Sequence, residues 1–149
     1  MLTNKGKYGL KAMVFLAGLP VGEVAQVPDI AKACSISKKF LDQILAELRN
    51  AGFVYSKKGK AGGYALAKAP GDIRVGHIVR VLDGPLAPIA CASVTAYRPC
   101  ADCATEELCA VQLIMQEARD ALSDVLDNRS LAQMRSLAHP HENELTYHI

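Results

Sequence analysis

The chain has 149 residues, half of them hydrophobic, yet only 5% are aromatic and none is tryptophan. That length sets one compact unit, and a core drawn from Ala, Leu, Ile and Val favours packed helices over a β-sandwich. No apolar run approaches the ~20 residues of a membrane span, and the opening stretch MLTNKGKYGL has no apolar signal region. The expected location is therefore the cytoplasm, with no membrane partner. Five cysteines in that compartment are poor candidates for structural disulfides, and an odd number clustered toward one end suits metal ligation better. The net charge of +2 hides an imbalance: residues 1–80 hold 13 Lys/Arg against 5 Asp/Glu, whereas residues 81–149 hold 4 Arg against 10 Asp/Glu. A basic front half points to a polyanionic partner.

Tyr8 to Leu16 reads as a short helix with Leu10, Met13, Val14 and Ala17 along one face. Pro20 and Gly22 mark a connection. A second helix starts near Pro28, whose missing N–H is tolerated in a first turn, and ends around Cys34–Ser35. Cys34 reads as a small core thiol. Ile36 points inward from a tight turn, and Ser37 is the predicted N-cap of a helix over Lys38–Asn50. Phe40, Leu41, Ile44, Leu45 and Leu48 recur at helical spacing there, and Gly52 closes it. Helix, short turn and capped helix form a helix-turn-helix. Phe53–Lys57 and Tyr64–Lys68 then read as two strands joined by the basic, glycine-rich stretch from Lys58 to Gly63. A basic hairpin directly after a recognition helix is the layout of a winged helix. Its glycines permit close backbone approach to phosphate and its lysines supply charge.

Pro70-Gly71-Asp72 is a turn, and Val75–Leu82 a helix burying Val75, Ile78, Val79 and Leu82. His77 lies between apolar residues of that helix and reads as structural. An irregular stretch follows to about Thr105. The last long helix is predicted over Glu106–Asp127, where Leu108, Val111, Met115, Ala118, Leu122 and Val125 alternate spacings of three and four. Such a seam must be buried, and a second copy of the chain is the simplest partner. Leu131–Leu137 reads as a short helix, and the tail with His139, His141 and His148 as loose and dispensable. The expected fold is mainly α with a small β-wing: a winged helix-turn-helix over 1–84, a cysteine-rich cluster-binding loop over 85–105, a dimerisation helix and C-terminal helix over 106–137, and a tail over 138–149.

The stretches Lys7–Ala12, Ile30-Ala31 with Ile36–Leu45, Gly59–Leu66, and Asp72-Ile73 with Val75-Gly76 together resemble one family. It is the winged-helix regulators that include the iron–sulfur regulator IscR, the nitric-oxide sensor NsrR and the cysteine-metabolism repressor CymR. The resemblance spans about Leu2 to Leu137. It implies that Ser37, Lys39, Phe40 and Gln43 face the major groove of double-stranded DNA, with Asp42 where some relatives discriminate between sites. Lys58, Gly62 and Gly63 match wing positions that touch the minor groove and backbone. Side-chain chemistry agrees: glutamine can pair bidentately with adenine, and lysine can donate to guanine O6/N7. Lys57, Lys58 and Lys60 suit phosphates, and Lys38 adds charge beside Lys39.

Cys91, Cys100, Cys103 and Cys109 lie between the irregular stretch and the start of the long helix. Thiolates on pliable backbone can converge on iron. The same set suits a tetrahedral zinc site, a Cys100–Cys103 thiol switch, or no chemistry at all. The resemblance implies an iron–sulfur cluster, [2Fe-2S] or [4Fe-4S], because the family's sensors place three cysteines just before and at the start of the dimerisation helix. In them the last two are separated by five residues, as Cys103 and Cys109 are. This chain departs from the relatives in its longer Cys91-to-Cys103 gap, its extra Cys100, Gln112 where some carry a histidine ligand, and Lys7 where others carry an acidic one. The expected function is a dimeric DNA-binding regulator, a repressor at a palindromic operator, sensing iron, iron–sulfur status, redox state or nitric oxide, and not an enzyme. An electron-transfer protein and a cofactor-free repressor are the competing classes; no nucleotide loop or acid–base constellation supports the former.

Overall fold

A computed structural model describes residues 2–140. The element order is α1 (Asn4–Ala17), α2 (Val27–Cys34), α3 (Lys38–Asn50), β1 (Val54–Lys57), β2 (Gly63–Leu66), α4 (Val75–Asp83), α5 (Ala110–Asp127) and α6 (Leu131–Ala138), with short 3₁₀ turns at Pro70–Asp72, Ala90–Ala92 and Glu106–Leu108. Mainly α with a small β-wing is therefore the architecture. The predicted tail beyond Pro140, with His141 and His148, lies outside the described residues.

The winged-helix unit is built on side chains excluded from water. Met13, Ile30, Leu41, Ile44, Leu45, Leu48, Ile73, Ile78 and Leu131 are fully buried. They come from α1, α2, α3, α4, α6 and the segment before α4, so one core fixes all of them relative to one another. Helix α1 starts earlier than the periodicity suggests, at Asn4, because Thr3 caps it by accepting the Gly6 N–H. Thr3 is itself held by the Asp83 carboxylate, which accepts its backbone N–H at 2.9 Å and its hydroxyl proton. The buried Gly6 hides that first turn from a propensity reading.

Strands β1 and β2 pair antiparallel, Val54 opposite Leu66 and Lys57 opposite Gly63. The segment before α2 adds a further bridge: Ala25 and Tyr64 exchange backbone hydrogen bonds of 2.9 and 2.8 Å. Helix α6 returns to the winged-helix unit. Its capping box of Ser130 and Gln133 closes its first turn, Leu131 N–H donates to the Ile73 carbonyl at 2.8 Å, and Leu131 enters the core.

The helix predicted over Glu106–Asp127 is broken. Glu106–Leu108 forms a 3₁₀ turn, and Cys109 sits in extended backbone, φ −78° and ψ 107°, before α5 begins at Ala110. Leu108 consequently lies outside the helix that carries the rest of the seam. At the far end of α5, Asp127 accepts from both terminal nitrogens of Arg80 on α4, at 2.6 and 2.8 Å. His77 is exposed on α4.

Candidate nucleic-acid interface and cysteine segment

The turn between α2 and α3 is set by three contacts. Ser35 adopts the left-handed conformation, φ 56°, at the end of α2. Ile36 is buried, and its N–H donates to the Ala31 carbonyl at 3.0 Å. The Lys11 ammonium donates to the Cys34 carbonyl at 2.5 Å, placing a cation at the negative end of α2. Cys34 lies in the core, its thiol directed at the Lys11 carbonyl, and burial pushes its ionisation upward. It is a packing residue.

Ser37 begins α3 as expected, its Oγ accepting the Phe40 N–H at 3.4 Å. Leu41, Ile44, Leu45 and Leu48 face the core, which leaves Ser37, Lys38, Lys39, Asp42 and Gln43 exposed. Lys39 and Gln43 are four residues apart and therefore neighbours on that open face. Phe40 is placed differently from its exposed neighbours. It is half-buried, and its ring meets that of Tyr8 edge-on, with centroids 5.7 Å apart and planes at 86°. It locks α3 to α1.

In the wing, the Lys57, Lys58 and Lys60 side chains are exposed, and among the described residues neither they nor Lys38 and Lys39 form an ion pair. Gly62 and Gly63 face inward. A Cβ on Gly62 would overlap the Lys57 carbonyl oxygen, and one on Gly63, φ +154°, would overlap the Ala25 carbonyl. Their lack of side chains is required by the hairpin's own closure and by its docking on Ala25. Gln26 adds a tether that sequence reasoning did not find: its Nε2 donates to the Lys60 carbonyl at 2.9 Å.

The cysteine segment is only partly assembled. Cys103 and Cys109 lie close enough to influence each other: burial, and then the neighbouring Cys109, raises the ionisation of Cys103, while that of Cys109 is lowered. The main cause at Cys109 is backbone N–H donation from Gln112 and Val111, in the first turn of α5, where a thiolate is favoured. Cys100 is exposed and directs its thiol to Asp102 Oδ1 at 2.6 Å, a contact that raises its ionisation. Cys91 is half-buried in the Ala90–Ala92 turn, within electrostatic range of Cys100. Glu106 orders the loop, accepting the Cys100 N–H at 3.2 Å and the Tyr97 hydroxyl; that contact pushes Tyr97 up to about 12. Among the described residues no group of three or more His, Cys, Asp or Glu is gathered as a metal site. The thiol donor set fits soft-metal chemistry, and its Cys103–Cys109 half is brought together. The apolar row Val111, Leu122 and Val125 is exposed on α5, as are Ala118 and the displaced Leu108, while Met115 is half-buried.

A capped helix presenting Lys39 and Gln43, set beside a lysine-tipped hairpin on one shared core, defines a winged-helix DNA-binding protein. The model of the family described as "Rrf2: Iron-dependent Transcriptional regulator" matches residues 2–136, and the chain belongs to that family. An Rrf2-like helix-turn-helix transcriptional regulator of Rhodobacter capsulatus is 38% identical over 143 residues, covering 94% of this chain and 95% of that protein. The solved structure of CymR, the global cysteine regulator of Bacillus subtilis, is 34% identical with a TM-score of 0.76, over 92% of this chain and 97% of that one. IscR of T. potens is 31% identical with a TM-score of 0.73, over 93% and 88%. These relatives are transcription regulators and not enzymes. No described helix is long and apolar enough to cross a membrane.

Proposed function

We propose that the chain is a dimeric regulator, a repressor, that binds a palindromic operator and responds to iron, iron–sulfur status, redox state or nitric oxide through its cysteine segment. The observation that carries the DNA-binding part is the unpaired, exposed set of Lys38, Lys39 and Gln43 on α3 with Lys57, Lys58 and Lys60 on the wing. Lys39 and Gln43 read base edges in the major groove, the bidentate geometry of the amide suiting adenine. Ser37 sits at the groove end of α3. Phe40, Gly62 and Gly63 shape the surface, and the wing lysines neutralise phosphates.

Dimerisation through Val111, Met115, Ala118, Leu122 and Val125, with Leu108 beside them, covers the apolar face of α5 and sets two recognition helices on one operator. The Rrf2 description and the similarity to IscR support an iron–sulfur cluster held by Cys91, Cys103 and Cys109, with Cys100 as a further thiol. When bound, such a cluster supplies a centre that reacts with oxidants and nitric oxide. The chain's own part is to hold Cys103 beside Cys109 and to stabilise the Cys109 thiolate at the start of α5. The test is anaerobic purification with iron and sulfide quantitation and Mössbauer spectroscopy, followed by operator binding with and without iron. A protein that binds iron but keeps the same operator affinity after its removal overturns the sensing part.

The Cys103–Cys109 contact favours a second reading, a thiol switch at that pair in place of Cys100–Cys103. A peroxide would take two electrons from the two thiols, forming one S–S bond and releasing water. Iron-free protein that gains this disulfide, and loses operator affinity with it, selects this reading over the cluster.

A further inference from the structure

Helix α5 leaves most of its apolar side chains exposed yet buries a glutamine: Gln112 is 7% exposed. Its Nε2 donates to the Cys91 carbonyl at 2.9 Å. Two turns along, Arg119 Nη1 donates to the Ala92 carbonyl at 2.6 Å. Seven residues apart, the two donors share one face of the helix. The carbonyls they hold belong to consecutive residues of the Ala90–Ala92 turn, which carries a cysteine and is followed by the buried Ser93. The other end of α5 is held by the bidentate Arg80–Asp127 pair to α4, which packs on α1 and α3.

We propose that Gln112 and Arg119 are positioning residues for the Cys91 thiol: they clamp its turn to α5, so that this helix moves with the cysteine segment at one end and with the winged-helix unit at the other. The inference rests on the reading of Cys91 as a sensing thiol. A glutamine where a histidine ligand is found in some relatives thereby gains a role of its own, as a donor to the backbone of the cysteine segment.

The test uses the full chain without iron. Alkylation of each cysteine by N-ethylmaleimide is followed by mass spectrometry, with exposed Cys100 as the internal reference. Gln112→Ala and Arg119→Ala should each raise the Cys91-to-Cys100 rate ratio at least fivefold. Arg119→Lys, which keeps a donor, should return it to within twofold of wild type, and Arg98→Ala should leave it unchanged. The second readout is affinity for a palindromic duplex selected from a random pool by the wild-type protein, before and after alkylation. A tenfold or larger change on alkylation in wild type should shrink below threefold in Arg119→Ala. Unchanged rate ratios in both alanine variants overturn the proposal, as does a full wild-type response in Arg119→Ala. Should wild type itself not respond while the ratios behave as stated, the sensing reading falls and the positioning role stands. If an alanine variant unfolds on thermal melting, Arg119→Gln against Arg119→Lys carries the same comparison.

Discussion

The Ser37 hydroxyl accepts the Phe40 N–H and so caps α3, while standing at the end of the helix proposed to enter the groove. The two roles separate by substitution. Ser37→Ala should cost about 1 kcal/mol of stability, as a lost N-cap does. Ser37→Asp keeps the cap and suits the positive end of the helix, so thermal stability should hold while operator affinity falls from repulsion by phosphate. At Gln43, alanine should cost about 1–3 kcal/mol at the preferred operator and relax the choice of base at one position. Lys58→Ala should instead weaken all duplexes alike, lowering the salt slope by about 1 in fluorescence-anisotropy titrations. Lys39 and Gln43 were legible in sequence because a four-residue spacing opposite an apolar stripe marks an open helix face. Phe40 belongs to the apolar row the periodicity marks, but its partner was not legible, because Tyr8 stands 32 places earlier and local periodicity cannot register that contact. Gly62 and Gly63 were legible as glycines of a wing, but their reason was not, since the Lys57 and Ala25 carbonyls that exclude a Cβ come together only in the folded hairpin.

The elements themselves follow the sequence wherever one local signal dominates, as at α3, whose cap and apolar stripe agree on its bounds. They depart where backbone conformation changes without a change in hydrophobic pattern. The row starting at Leu108 reads as one helix, yet the extended Cys109 separates a 3₁₀ turn from α5; a thiol at that junction gains the N–H groups of Val111 and Gln112. The approach of Cys103 to Cys109 is likewise invisible to spacing, which favours the adjacent Cys100, whereas Cys100 directs its thiol to Asp102. Between α4 and α5 the decisive contact is Arg80–Asp127. The guanidinium holds the Asp127 carboxyl below the ordinary carboxylate range, chiefly through its hydrogen bonds. A carboxylate whose folded pKa is depressed adds stability above its unfolded pKa, about 3.9, and loses it as pH falls toward the folded value. The stability difference between wild type and Asp127→Asn should therefore be present above about pH 5, where the charge of the nearby His77 also acts on Asp127, and shrink below about pH 4. Denaturant titrations across that range measure it; a difference that grows as pH falls below about 4 would contradict the assignment.

At the scale of the molecule, the helices around the shared core cover one another's apolar faces, and α5 is left uncovered. Every other long helix buries several side chains, whereas Gln112 is the one buried residue of α5. Val111 and Val125 are both 59% exposed, and Leu113, Ile114 and Leu122 are exposed as well. Leu122 also borders an apolar groove of about 630 Å³ between α1, α4 and the segment after α4, so the uncovered surface extends beyond the predicted seam. A contiguous apolar patch of this kind marks an interaction site. Residues 81–149 are acidic on balance, with Glu117, Asp120 and Asp124 on α5 itself, a charge that would repel phosphate and that separates the apolar face from the basic one proposed to bind DNA. A second copy meets the requirement, since a two-fold axis along α5 buries the same row from both chains. The wild-type chain of 16.0 kDa should therefore sediment at twice that mass. Leu122→Glu combined with Val125→Glu should yield a monomer that retains the wild-type helical signal, because neither side chain belongs to the buried core. With one recognition helix per particle, that monomer should lose most of its affinity for a palindrome but little for a half-site, since the lost term is the effective concentration of the second module and not any contact of the first. A double variant that still sediments as a dimer, or that binds palindrome and half-site with the wild-type ratio, would place the dimer interface elsewhere than on α5.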